Sequence, residues 1–187
     1  MWAATANIDL DSETFRFLGN VRFDIHGAWE VLKLNRYRAK FSYSENDQKP
    51  PSFSQELTSD HWKTIDDEFS YFGIHNMPWV GMGYEAIPHA DHGDGFSYFQ
   101  TLKGENISRK NLLNTRKLLN PNAHRFKEDK DFEDLGLTVG KFKSFRLEPY
   151  GENRGQYSVD GEHCEAHKLQ GYVLPQVQSY VGGHRKN

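Results

Sequence analysis

Residues 36–44 alternate without a break, with Tyr37, Ala39, Phe41 and Tyr43 on one side and Arg36, Arg38, Lys40 and Ser42 on the other. A period of two fits an extended strand, because successive side chains point to opposite faces of a sheet. One apolar and one charged face further require a sheet with one packed side and one wet side, which antiparallel sheets provide. Residues 69–74, 83–87, 96–102 and 138–147 read as further strands, many of them rich in aromatics. The expected fold is mainly β with some α: an antiparallel β-sandwich flanked by two or three helices.

The opening residues 1–8 enter an apolar, strand-like run. Ser12 can then cap a helix in which Phe15, Leu18, Ile25, Trp29 and Leu32 recur at helical spacing, with Gly19 breaking it in two. Residues 46–60 are polar and carry Pro50 and Pro51, so a loop or mobile excursion is expected there. Asn106 or Ser108 can cap a helix through Leu112, Leu113 and Leu119, ended by Asn120 and Pro121 and carrying Arg109, Lys110, Arg116 and Lys117 on its outer face. Residues 121–136 read as a charged, solvated linker. Residues 156–159 and 165–174 read as a late hairpin about Asp160 and Gly161, and residues 182–187 as a flexible tail.

At 187 residues, with 36% hydrophobic and 14% aromatic content, the chain can bury one substantial core, so a single domain over residues 1–187 is expected. Net charge is −3 with both signs interspersed, which leaves no broad cationic field and argues against nucleic acid as a partner. The longest apolar runs fall short of a membrane span. Cys164 is the one cysteine, which excludes an intramolecular disulfide, and no basic region followed by an apolar segment opens the chain. A reducing, cytoplasmic setting is expected. Because Met1 leads straight into apolar sequence, the chain is also expected to be a fragment.

Three acids, Asp9, Asp11 and Glu13, lie within fourteen residues of Arg16 and Arg22. Such a set suits an amino-alcohol head group and a nucleotide: carboxylates anchor an ammonium, and guanidinium forks hold phosphate. Carboxylates near a helix start are also favourable for the helix alone. On a straight helix Arg16 and Arg22 would point roughly 240° apart, so they meet one ligand only if the helix bends. Asp160-Gly161-Glu162 is by itself a hairpin turn. His89, Asp91, His92 and Asp94, and separately His163, Cys164 and His167, are good ligand types without closing geometry, and no metal is assigned to them. No serine triad, no cysteine nucleophile signature and no glycine-rich phosphate loop is present. The chain therefore carries no catalytic residue of its own in this reading.

Several stretches together carry a likeness: the run from Trp2 to Arg16, Leu18-Gly19, Arg22-Phe23, Arg36-Tyr37-Arg38, His75-Asn76-Met77-Pro78-Trp79, Asp94-Gly95, Phe145-Arg146-Leu147-Glu148-Pro149 and Val159-Asp160-Gly161-Glu162. They resemble the carboxy-terminal domain of eukaryotic sphingosine kinases, within the diacylglycerol-kinase-like lipid kinases. The resemblance implies a lipid-enclosing β-sandwich that works with an amino-terminal nucleotide-binding domain, missing here, which carries the Gly-Asp-Gly loop, the catalytic acid and most of the contacts to Mg2+. It implies that Asp9 contacts the head group of a sphingoid base, that Arg16 and Arg22 reach the phosphates of ATP, and that Asp160, Gly161 and Glu162 lie against the nucleotide. It also implies peripheral membrane contact. A ceramide or diacylglycerol kinase relative, or a noncatalytic lipid-binding module, remains an alternative. The sequence departs from the family pattern at Ala3, where a glycine is expected, at Asn7, where an Asp is expected, and at Ser97, where an acid is expected.

Overall fold

A computed structural model describes residues 1–58, 60–81, 84–87, 90, 93–115 and 129–174. Its centre is a nine-stranded antiparallel sheet. Strand β1 is Trp2–Ala3, β2 Tyr37–Ser44, β3 Lys63–His75, β6 Ser97–Lys103, β7 Thr138–Phe142, β8 Ser144–Tyr150, β9 Tyr157–Val159, β10 Glu162–Cys164 and β11 Leu169–Tyr172. A small separate hairpin joins β4, Trp79–Gly81, to β5, Tyr84–Glu85. The main path runs β10-β9-β1-β3-β2-β8-β11, and β6 and β7 branch from β3. The long strand β3 pairs with β2 through its first half and with β1 and β6 through its second, with a register shift between Phe69 and Tyr71. One shared strand thus lets the sheet curl around its own apolar face, and the mainly-β expectation holds.

Inside the curl lie Trp2, Tyr37, Phe41, Phe69, Phe72, Phe99, Phe142, Leu147 and Tyr157, all buried. The alternation holds from Tyr37 to Phe41, with Tyr37, Ala39 and Phe41 in this core and Arg38 and Lys40 exposed, but it ends there: Ser42, expected on the wet face, and Ser44 are buried. Trp2 packs against Tyr37, Phe69 and Phe72 with ring centroids 5.8 to 5.9 Å apart, and its Nε1–H donates to the Arg154 carbonyl at 2.8 Å. Each such ring removes enough apolar area from water to contribute about 1.5–3 kcal/mol. A second core of Tyr71, Leu102, Ile107, Leu112, Phe132, Leu135 and Leu137 is separate from the first. His75, near the end of β3, is buried, its Nε2 has no hydrogen-bond partner among the described residues, and desolvation pushes its pKa down to about 4, so the ring is neutral in the fold.

Several expectations need correction. The opening strand is only two residues long, and helix α1 begins at once over Ala4–Asp11. Ala4 and Ala6 are fully buried, and alanine's high helix propensity and small size let α1 press against the sheet. The switch occurs at Ala3, whose φ of 62° favours glycine, which gives a backbone reason for the family's glycine after the tryptophan. Ser12 caps no helix. It opens a 3-10 stretch, Ser12–Leu18, and its hydroxyl donates back to the Asp9 carbonyl at 3.1 Å. Helix α2 follows over Val21–Lys33, after a break at Gly19 (φ 57°) as expected.

The strand expected over 138–147 is two strands: β7 pairs with β6 and β8 with β2, and the path changes partner at Lys143. In the late hairpin, β9 pairs with β10 across Asp160 (φ 51°) and Gly161 (φ 87°), a two-residue turn of the primed type. Residues 169–172 instead pair with β8 at the opposite edge. The charged linker reading fails over its later part: helix α4, Asp129–Glu133, seats a fully buried Phe132 in the second core, and Leu135 follows it. One aromatic among charges suffices to fold that turn inward.

Ser108 does cap helix α3, Arg109–Asn114, by accepting from the Asn111 amide at 3.1 Å. Arg116, Lys117, Leu119 to Pro121 and the 182–187 tail lie outside the described residues, as do His89, Asp91 and His92. The described part of the proline-bearing excursion is pinned by Arg146 from β8. That buried guanidinium donates to the carbonyls of Pro51 at 2.6 Å, Ser52 at 3.1 Å and Gln55 at 2.9 Å, and to Gln170 Oε1 at 3.0 Å. Phe53 covers it. This loop lines an open cleft of about 500 Å³ that includes Lys49, Pro51, Glu56 and Trp62 and none of the candidate site residues.

Candidate functional site

Helix α1 is fastened to the sheet by polar contacts along its length. Thr5 Oγ1 donates to the Phe72 carbonyl at 3.1 Å, and Asn7 Nδ2 donates to the Tyr37 hydroxyl at 2.8 Å and to Glu30 Oε2 at 3.3 Å. Two residues on, the Ser158 hydroxyl of β9 donates to Asp9 Oδ2 at 2.6 Å. Gln156 donates to Asp11 Oδ1 at 3.3 Å. Asp9 is partly exposed, and its other oxygen makes no hydrogen bond among the described residues. A carboxylate held on one side and open on the other is arranged to accept from a cation.

Ser158 lies two residues before Asp160, so β9 ties Asp9 to the 160–162 turn. Sequence reasoning missed Ser158. Its only signal is position: a small hydroxyl residue in a short strand leading into an Asp-Gly turn.

The arginines converge. The 3-10 stretch is interrupted at Phe15 (φ −108°, ψ 27°) and the chain turns at Gly19, so residues three and nine positions beyond Glu13 reach the same carboxylate. Arg16 Nε and Arg22 Nη1 each lie 2.5 Å from a Glu13 oxygen. Arg22 is mostly buried and stacks over the Phe23 ring at 4.5 Å, whereas Arg16 is largely exposed. The bend that a shared ligand requires is therefore present. No hydrogen bond or ion pair links either arginine to the 160–162 turn among the described residues.

Glu30 is the only buried residue of α2. Desolvation raises its carboxyl pKa above the usual value of 4.5, with the Asn7 hydrogen bond and Lys33 working the other way. An aspartate in place of Asn7 would set two carboxylates against each other here, which accounts physically for the amide at that position. The sign of the linkage follows. A carboxyl whose folded pKa is raised stabilises the fold most below its unfolded pKa, and that stability is lost as pH rises through the folded value. Glu30→Gln is thus expected to stabilise the chain near neutrality, with the gain shrinking as pH falls through the raised folded value and gone below the usual 4.5. Urea midpoints at two pH values check it, and a gain that persists in acid would contradict it.

The chain is 30% identical to sphingosine kinase 1 of Arabidopsis thaliana over 189 residues, covering 86% of this chain and 37% of the plant protein. It is 25% identical to human sphingosine kinase 1 over 202 residues, 97% of this chain and 50% of that protein. The chain is thus similar to plant and human sphingosine kinases over most of its own length. It spans about half the length, or less, of these relatives. No protein-family model matches it. A crystal structure of a diacylglycerol kinase from Bacillus anthracis is 15% identical and aligns with 79% of this chain and 43% of that one, at a TM-score of 0.49. Asp9, Arg16 and Arg22 occur on one continuous segment, α1 through α2, and the 160–162 turn meets that segment through β9.

Proposed function

We propose that this domain is the lipid-binding half of a sphingosine or long-chain-base kinase. Joined to an amino-terminal nucleotide-binding domain, it would transfer the γ-phosphoryl group of ATP to the primary hydroxyl of a sphingoid base. The observation that carries the reading is Asp9, a carboxylate fixed by Ser158 on one oxygen and open on the other, in a chain 30% identical to a plant sphingosine kinase. Its charge selects a protonated amino-alcohol head and orients the hydroxyl beside it. Arg16 and Arg22 offer guanidinium forks to the phosphates, where charge spreads over equatorial oxygens during transfer. Asp160, Gly161 and Glu162 present an exposed turn toward the nucleotide.

Mg2+ neutralises phosphate charge in such a reaction and is assigned to the amino-terminal domain. Among the described residues no group of three metal-ligating side chains occurs, so none is given that role.

Peripheral contact with a membrane, from the cytoplasmic side, is part of the proposal. Val21, Ile25, Trp29 and Leu32 form a stripe along α2, each between 48% and 62% exposed, with Phe17 80% exposed nearby. Apolar side chains on an outer helix face suit an interfacial helix that meets the bilayer from which a lipid is drawn. Among the described residues no helix is long and apolar enough to cross one.

The test is a panel of acceptors given to the chain joined to its nucleotide-binding domain, with labelled ATP. Sphingosine is expected to be phosphorylated and ceramide and diacylglycerol to be poor acceptors. Preference for a neutral lipid would move the protein to a ceramide or diacylglycerol kinase relative. Binding without transfer to any acceptor would leave a noncatalytic lipid-binding module.

A further inference from the structure

Glu13 stands where the two guanidinium groups meet. It is not a simple neighbour pair on one helix, because Arg22 is nine residues away and reaches it across the Gly19 bend. Two guanidinium groups aimed at one point repel unless an anion lies between them, and here the only anion they contact among the described residues is the Glu13 carboxylate. Arg22 has only 14% of its side chain exposed and lies over the Phe23 ring, so part of its placement does not depend on Glu13. Glu13 itself is 40% exposed and is attached by a flexible side chain, so it can swing into water without losing hydration.

We propose that Glu13 is an internal placeholder for phosphate: it occupies the double-arginine position and is displaced by the phosphate chain of the nucleotide. The inference rests on the reading of Arg16 and Arg22 as phosphate-facing. Its physical basis is an exchange of anions. A polyphosphate brings several negative charges and many acceptor oxygens against the single charge of Glu13, so it wins the forks. The exchange still subtracts the Glu13 contacts from the binding energy. Glu13 therefore weakens nucleotide binding, while keeping the arginines paired and the 3-10 stretch closed when no nucleotide is bound.

Tripolyphosphate binding to this chain, by titration calorimetry at low ionic strength, tests it with wild type, Glu13→Gln and the double variant Arg16→Ala/Arg22→Ala. Glu13→Gln keeps the shape and removes the charge, and is expected to bind about two- to thirtyfold more tightly than wild type. The double variant is expected to bind more weakly. Equal or weaker binding by Glu13→Gln, with weakened binding by the arginine variant, overturns the placeholder and leaves the arginines as phosphate ligands. No effect of either change overturns the arginine reading itself. If binding to the isolated chain is below detection, the KM for ATP of the chain joined to its nucleotide-binding domain gives the same comparison. There Glu13→Gln must lower it, and an unchanged or higher KM sinks the proposal.

Discussion

Asp9→Ala, in the chain joined to its nucleotide-binding domain, is expected to lower kcat/KM for sphingosine by roughly 10- to 100-fold or more. The estimate is the loss of one charge-assisted hydrogen bond to an ammonium, which is stronger than a neutral one because the donor carries a full charge. Alanine also removes the acceptor for the buried Ser158 hydroxyl, so a structural loss could imitate a functional one. Asp9→Asn separates them: the amide oxygen still accepts from Ser158, while the negative charge is gone. Both variants should lose the cationic substrate to a similar degree, and any residual activity on a neutral lipid should change much less. Unchanged kinetics for sphingosine in both variants would remove Asp9 from the site.

Arg146→Ala is expected to cost about 3–5 kcal/mol of folding stability. The guanidinium is 2% exposed and is surrounded by carbonyl oxygens, with no carboxylate paired to it among the described residues. Truncation leaves the Pro51 and Gln55 carbonyls without the guanidinium donor, leaves Ser52 only the Gln55 amide, and removes the cation over Phe53. Arg146→Lys should restore less than half of the loss, because one ammonium cannot reproduce a planar fork that meets four acceptors. Chemical denaturation reads the stability, and proteolysis of the 46–58 segment reads the release of the loop. A loss below about 1 kcal/mol would show that water replaces the guanidinium at little cost.

The alternating strand at residues 36–44 was legible because its period has one structural meaning. The first residues were not, since an alanine-rich apolar run satisfies a strand and a helix equally, and the deciding event is the backbone turn at Ala3. The switch of partner at Lys143 leaves no mark in composition, because both strands it joins are β-rich. Phe132 was hidden by the charges around it, although one buried ring outweighs a run of residues that can point into water. At the site, Asp9, Arg16, Arg22 and the 160–162 turn were singled out by charge and by family likeness. The partners that hold Asp9 and α1, namely Ser158, Tyr37 and Glu30, are set by packing between distant segments and could not be read from any local pattern. Arg146 belonged to the most specific motif, yet its work as a clasp for a loop some 90 residues earlier in the chain emerges only in three dimensions.

Strand β1 lies between β3 and β9, and the Trp2 indole closes onto the Arg154 carbonyl, 152 residues along the chain. During synthesis the first strand is therefore made long before its second neighbour exists. Until then the large Trp2 ring, its indole N–H without the Arg154 carbonyl, and one open flank of β1 wait uncovered, while β2 and β3 can already form their ladder. Such late, long-range closure makes for slow folding and a long exposure of unpaired edge. The segment carrying Asp9 is docked by the same closure, since Ser158 arrives on β9. Substrate-binding competence should then be among the last properties the nascent chain acquires.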